Sequence, residues 1–548
     1  MRHAFRCFPV VCLLLACNGA PPLADHSLAE RTQALADVFE TPMVYTVRRL
    51  DSLEMERFFR NEPTLAADSA GIRAFYQRRG YQYAWFVNDT LAQAVSGFLD
   101  LVQNADTTHR EVRALRDRLQ GLLNNGGDPG TRPEAGVSSD LELRLTALFF
   151  RFAEGKYGGL VGRDLRELDW FIPRRKKDMG RLLDSLTAGS SDLSLLEPLH
   201  PQYGRLKAHL RQYRDLDTMP WPAIGIGELR KLEPGAVHAA VPLIRERLIL
   251  LGDHPSLPTA ATTDENLYDS TLVLAVQRFQ QRHGLHPDAV LGPGSLNALN
   301  VTPAERLRTL LVNMERLRWV PEQSAPDLLL VNIPEFKLHV YENGEQVLEM
   351  DVVVGKAATR TVIFSDTLTT VVFSPTWTVP PGIMRTEVLP GMRKDPDYLR
   401  KKHMEIVGGT AANPIVRQKP GTHNALGLVK FLFPNNYHIY MHDTPSKNLF
   451  GREQRAFSHG CIRVSKPLEL AEFLLKDQPE WTADRIKKAM NAGRETHVRV
   501  LRPRPVTIGY FTAWVDANGV LNFRDDVYGH DARLAHELFG LKDTVVAL

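Results

Sequence analysis

The chain has 548 residues, 43% of them apolar and 24% charged, and its 67 Lys and Arg face 64 Asp and Glu for a formal charge of +3. At roughly 100–200 residues per domain this length predicts three or four domains, and the apolar fraction excludes a mainly disordered chain. So balanced a charge argues against a nucleic-acid partner; with Cys7, Cys12 and Cys17 crowded at the start and Cys461 alone, a disulfide framework is excluded as well.

Arg2 and Arg6 precede an apolar run from Phe8 to Ala16 that is too short to span a bilayer. A basic start, a short apolar run and a small residue form the pattern of a removable export signal, expected over residues 1–16. Leu14-Leu15-Ala16-Cys17 resembles a bacterial lipoprotein box. That implies an acylated Cys17 and a mature protein of the cell envelope or periplasm, held to a membrane by lipid. An ordinary signal with a chance cysteine is the alternative.

Residues 17–232 read as a tether followed by a helical scaffold domain. Asn18 to Asp25 is small, polar and proline-containing, whereas Ile72, Phe75 and Tyr76, then Leu141, Leu145, Leu148, Phe149 and Phe152, recur at helical spacing and mark a packed core. Asn124 to Gly136 is a turn-rich loop between two helical groups, and Met219-Pro220-Trp221-Pro222 ends the region. Over residues 233–302 a compact helical unit is expected: one helix from Val241 stopped by Gly252, another from Leu272 stopped by Gly284, then Asp288 and Ser295 to Leu299. This ordered set resembles the small three-helix peptidoglycan-binding module; a helical spacer that binds nothing is the alternative. Residues 303–325 form a helical connector.

The character then switches. Leu328–Ile333, Lys337–Tyr341, Val347–Val354 and Thr369–Phe373 are β-branched or alternating runs between turn signals, which predicts a β sandwich or barrel over residues 326–503. Residues 384–417, rich in Lys, Arg, Pro and Gly, interrupt the strands as a capping insertion, since an ordered insertion of that length usually covers a site. Strands resume at Gly427–Phe433 and His438–His442, and residues 504–548 read as a tail packed on the body.

A lone thiol in an exported protein needs a reason. Cys461 follows Ser458, His459 and Gly460 and precedes Arg463, the polar and cationic setting in which a reactive thiolate forms. The nucleophile needs a base. His442 ends one strand and Cys461 begins another, so the two can meet across a strand pair; His459, two residues before Cys461, is the rival and is expected to organise the turn. His438, His442, His459 and Cys461 lack the paired short spacing of a zinc site, so neither metal nor cofactor is expected.

Tyr440-Met441-His442-Asp443-Thr444-Pro445 followed by Phe457-Ser458-His459-Gly460-Cys461-Ile462-Arg463 resembles the signature of the L,D-transpeptidase (YkuD-type) catalytic domain. Tyr83-Ala84-Trp85, Asn313 to Trp319, Pro375 to Pro381 and Thr507 to Trp514 extend the resemblance to the large multi-domain YcbB-like subfamily. The fold this implies is a multidomain α+β chain: a helical scaffold, the binding module, then a mainly β catalytic domain with its cap. The activity implied is that of a cysteine acyltransferase which takes the acyl group of a tetrapeptide donor, releases D-alanine, and passes the acyl group to the side-chain amine of a diamino-acid acceptor, leaving a 3→3 peptidoglycan cross-link. Cys461 is then the nucleophile, His442 the general acid and base, and the Asp443 carbonyl the orienter of His442. Backbone N–H groups at Gly460 and Cys461, with the Tyr440 hydroxyl, hold the oxyanion; Ser458 supports the turn, and Arg463 holds the stem carboxylate or fixes the loop. Carbapenem-type inhibitors are implied as ligands. The lipoprotein box departs from the subfamily's usual plain signal or anchor. A cysteine hydrolase of cell-wall peptides and a non-catalytic wall-binding lipoprotein are the alternatives.

Overall fold

The computed structural model describes residues 48–87, 90–104, 116–117, 135–161, 164–174, 178–188, 200–255, 264–321 and 325–540. The expected export signal, Cys17, the tether and most of the Asn124 to Gly136 loop lie outside these residues. No helix among the described residues is long and apolar enough to cross a membrane.

Helices Ser52–Asn61, Ser69–Arg78, Ala94–Asn104, Ala135–Tyr157 and Met179–Thr187, with a two-residue hairpin of β1 (Phe86–Val87) and β2 (Thr90–Leu91), make the N-terminal unit. Its core is aromatic: Phe75, Tyr76, Trp85, Phe98 and Phe149 are fully buried. Inside it Glu142 accepts hydrogen bonds from the Tyr76 hydroxyl (2.7 Å) and the Ala84 and Trp85 amides (2.5 and 3.1 Å). Burial raises its carboxyl to about 7 in spite of these donors.

Three helices, Val241–Leu250, Ser270–Arg282 and Pro293–Asn300, close the small module around Ile244, Leu248, Leu272, Phe279 and Leu299. The module is fixed to the body. Its Arg282, held by Asp253 of the same module, donates to the Leu521 carbonyl at 3.4 Å, its His283 stacks on Phe523 at 5.7 Å, and its His286 amide donates to Glu453 at 2.9 Å.

The C-terminal half is a mixed sheet that closes on itself. Its strands are β3 (Leu328–Asn332), β4 (Lys337–Glu342), β5 (Glu345–Gly355), β6 (Phe364–Phe373), β10 (Val429–Leu432), β11 (Met441–His442), β12 (Ala456–Ser458), β13 (Ile462–Val464) and β14 (Thr496–Gly509). The order β12-β5-β13-β11-β10-β6-β14-β3-β4 becomes a ring because β5 pairs with β4 through its first half and with β13 through its second. Helices Pro467–Leu475 and Ala483–Met490 pack on this ring through Leu470, Leu474, Ile486 and Met490.

Three elements cross the boundaries expected from the sequence. The expected break at 503/504 falls inside β14, which pairs antiparallel with β6 and parallel with β3. Pro503 sits in a register irregularity between Arg499 and Arg504, where the missing N–H costs no ladder bond. Residues beyond it belong to the catalytic core, which includes Val506, Ile508, Tyr510, Tyr528 and Leu534. The cap is wider than 384–417: β7 (Trp377–Thr378), β8 (Met404–Gly409) and β9 (Pro414–Gln418) form a sheet of their own over a core of Val379, Met384, Val388 and Val416. Finally, helix Pro201–Asp217 leaves the scaffold core. It packs against the connector helix Pro303–Leu317 and a hairpin of β15 (Ala513–Val515) and β16 (Leu521–Phe523).

Candidate active site

β11 and β13 run parallel, with Met441 opposite Ile462 and His442 opposite Arg463, and the Ile462 amide donates to the Tyr440 carbonyl at 3.1 Å. Side chains alternate along a strand. Met441, Ile462 and Val464 therefore enter the core, where all three are fully buried, and Tyr440, His442, Cys461 and Arg463 share the opposite face. On that face the Tyr440 and His442 rings stand 5.8 Å apart, and Tyr440, through its main chain and its hydroxyl, favours the thiolate of Cys461. The four residues come from two short segments joined by a loop of the sequence, so only the register brings them together.

The turn that delivers Cys461 is held by Ser458 rather than by His459. The Ser458 hydroxyl donates to the Cys461 carbonyl at 2.6 Å and accepts from the Gly460 amide at 3.1 Å. Gly460 has φ +115°, a region glycine tolerates and other residues avoid. With its N–H committed to Ser458, Gly460 has no donor to offer a ligand; the Cys461 N–H has no hydrogen-bond partner among the described residues. The ring of His459 points into the cap, its Nε2 2.9 Å from Glu387 Oε1.

Behind the turn lies a buried relay that the motif does not announce. The Gly460 carbonyl accepts from Thr361 Oγ1 at 2.8 Å, and that hydroxyl oxygen accepts from the Gly355 amide at 2.9 Å. Tyr528, from the C-terminal stretch, donates its hydroxyl to the Gly355 carbonyl at 2.5 Å and accepts from the Thr361 amide at 3.3 Å. The loop before β11 is shaped by Asn435, whose Oδ1 accepts from the Tyr437 and Ile439 amides at 3.0 and 3.1 Å. This leaves His438 at φ +57° with its carbonyl 3.7 Å from the Cys461 sulfur.

His442 is buried, and its Nδ1 meets the Asp443 carbonyl at 2.5 Å. A carbonyl only accepts, so Nδ1 carries the proton and Nε2 is left as a free base. Burial, then the nearby Arg463 charge, hold the imidazole down to about 4, so it is neutral at pH 7. Asp443 is itself clamped: its carboxylate binds Lys447 and accepts from the Leu428 amide at 2.9 Å. Burial pushes the Cys461 thiol up, opposed by Tyr440 and Arg463. Arg463 keeps a buried Nε with no hydrogen-bond partner among the described residues. Among those residues no three His, Cys, Asp or Glu side chains are placed to hold a metal ion.

Such an arrangement, a neutral thiol on the same strand face as a neutral imidazole with a free nitrogen, and an unpaired N–H, is equipped for nucleophilic acyl transfer. Residues 326–500 match the family described as "L,D-transpeptidase catalytic domain". Residues 70–210 match "Scaffold domain", and residues 237–299 match "Putative peptidoglycan binding domain". A "Putative L,D-transpeptidase" of Haemophilus influenzae is 32% identical over 298 residues, 52% of this chain and 59% of its own length. The chain thus spans somewhat over half of that relative. Among solved structures, an L,D-transpeptidase from Mycobacterium smegmatis is similar at 16% identity and TM-score 0.18, covering 34% of this chain and 59% of its own. Mycobacterium tuberculosis L,D-transpeptidase 1 is similar at 14% identity and TM-score 0.16, covering 34% and 61%.

Proposed function

We propose that this chain, whose residues 326–500 match the family described as "L,D-transpeptidase catalytic domain", is a cysteine acyltransferase of the cell envelope that forms 3→3 cross-links between peptidoglycan stem peptides. The observation that supports this reading most is the β11–β13 register, which gathers Tyr440, His442, Cys461 and Arg463 on one face.

In the proposed sequence, the Cys461 sulfur attacks the carbonyl of the third residue of a tetrapeptide stem while its proton passes to His442 Nε2. The oxyanion is received by the Cys461 N–H and the Tyr440 hydroxyl; losing one such donor costs about 10²–10³ in rate. The proton returns to the departing D-alanine amine, leaving a thioester on Cys461. The side-chain amine of a second stem's diamino acid then attacks, the C–S bond breaks, and His442 carries the amine's proton to the sulfur. Arg463, without a hydrogen-bond partner for its Nε and beside the thiol, suits a stem carboxylate. The module 237–299, fixed to the body by Arg282 on the Leu521 carbonyl and by the His286 amide on Glu453, would orient the wall against this face, and Cys17 would carry the lipid that keeps the enzyme at a membrane.

Incubating the protein with disaccharide-tetrapeptide tests the reading. The expected products by mass spectrometry are a 3→3 dimer and, with a carbapenem, a covalent adduct on Cys461. Tripeptide without dimer would favour a hydrolase, no product and no adduct would leave a wall-binding protein only, and unchanged cross-linking by Cys461→Ala would exclude Cys461 as the nucleophile.

A further inference from the structure

Resting on the transpeptidase reading, we propose that Glu387 of the cap is the carboxylate that receives the acceptor's ammonium group beside Cys461. A side-chain amine of this kind has an ordinary value of about 10.4, so it arrives charged. A cation entering a partly dehydrated site needs a carboxylate to meet it.

The carboxylates near the catalytic face are mostly committed. Asp443 is buried and bound to Lys447 and the Leu428 amide. Glu495 is occupied by the Thr376 amide and hydroxyl (2.5 and 2.7 Å) and by His497 (2.8 Å). Asp351 pairs with Arg455 at 3.1 Å. Glu387 differs. It is 51% exposed, and among the described residues its side chain meets one partner, the ring of His459 two positions before the nucleophile. An imidazole is a partner that an ammonium can displace or share, because it need not be charged.

Its placement is also firm. Glu387 lies on Met384–Val388, a stretch wound as a π-helix, a rare geometry that recurs at functional sites. Met384 and Val388 are sunk in the cap core with Val379 and Val416, so the backbone that carries Glu387 is anchored on both sides of it. The opposing explanation is mechanical: the His459–Glu387 pair merely latches the cap over the site. The two differ in what they control. A latch governs entry of the donor, and so acylation, whereas an acceptor carboxylate governs only the second half-reaction.

The test separates the two half-reactions in the full-length chain. Thioester formation from disaccharide-tetrapeptide is followed by mass spectrometry. The thioester is then offered a tetrapeptide acceptor with a free side-chain amine or, in parallel, hydroxylamine, which is uncharged at neutral pH. In Glu387→Gln the KM for the cationic acceptor is expected to rise at least tenfold relative to any change in acylation, with hydroxylamine cleavage keeping pace with acylation and Glu387→Asp falling between. An equal loss in both half-reactions, or an acceptor KM within twofold of wild type, would overturn the proposal while leaving the transpeptidase intact. Failure of the wild-type chain to form any thioester would remove the underlying reading and this inference with it.

Discussion

The relay behind the nucleophile makes a sharp prediction at Thr361. Its hydroxyl bridges the Gly355 amide (2.9 Å) and the Gly460 carbonyl (2.8 Å), and the residue is 1% exposed. Thr361→Val keeps the shape and removes the bridge, leaving one donor and one acceptor buried and unpaired. Each such orphan costs about 1–3 kcal/mol, so a loss of about 3 kcal/mol is a conservative sum. For a domain near this size that lowers the melting point by about 6–12 °C. The same change frees the Gly460 turn that aims Cys461, and a misplacement on the order of 1 Å costs about 10² in rate. Carbapenem acylation of Cys461, timed by mass spectrometry, and thermal unfolding are the two readouts, with Thr361→Ser as the rescue because it keeps the hydroxyl. A Thr361→Val protein that melts within about 1 °C of wild type and acylates at the wild-type rate would show that the relay is not what positions the turn.

Two further outcomes test the electrostatics. With His442 held to about 4 and the Cys461 thiol raised, the resting pair is neutral. Alkylation of the free enzyme by iodoacetamide should therefore climb about tenfold per pH unit from pH 7 to 9, as the thiolate fraction grows. Acylation, in which His442 takes the proton, should stay level from about pH 6 to 8; an alkylation plateau already reached at pH 6 would mean a preformed ion pair. In the scaffold, Glu142 is raised to about 7 by burial. A carboxyl raised in the folded state binds its proton more tightly there, so stability is greatest below the ordinary value and is lost as pH rises to about 7. The loss is about 3 kcal/mol. Glu142→Gln should flatten that dependence, read as hydrogen-exchange protection of the Trp85 amide at pH 5 and pH 8; an unchanged difference between the two pH values would contradict it.

The candidate site is legible in the sequence because its residues are written locally. Ser458 to Arg463 and Tyr440 to Asp443 each occupy one short stretch whose alternation is local, while the parallel register that joins the two is not. What lay hidden was long-range. The apolar stripe of residues 201–217 announces a buried face but not its partner, so a helix that packs on β15 and β16 read as part of the scaffold. Trp377–Thr378 is too short to show a period, so the sequence does not mark the strand with which the cap begins. Pro503 and Pro505 look like the end of a strand although β14 runs through them. Thr361 and Tyr528 carry no sequence signal, since each acts through a hydrogen bond to backbone far away in the chain. His459 was assigned to its own turn because nothing local points to Glu387, 72 positions earlier.

The ring of strands has a consequence for how the chain comes to be active. β14 is the strand that joins β6 to β3, and Tyr528 completes the relay under the nucleophile. Both arrive after Cys461 and His442 have been synthesised. Until residues 496–528 are in place the sheet is an open ribbon with two unpaired edges, the kind of surface that associates with other chains, and the thiol turn has no floor. Contacts of such sequence separation close late in folding. On the proposed function, the turn that carries Cys461 therefore gains its last support only when the fold is finished.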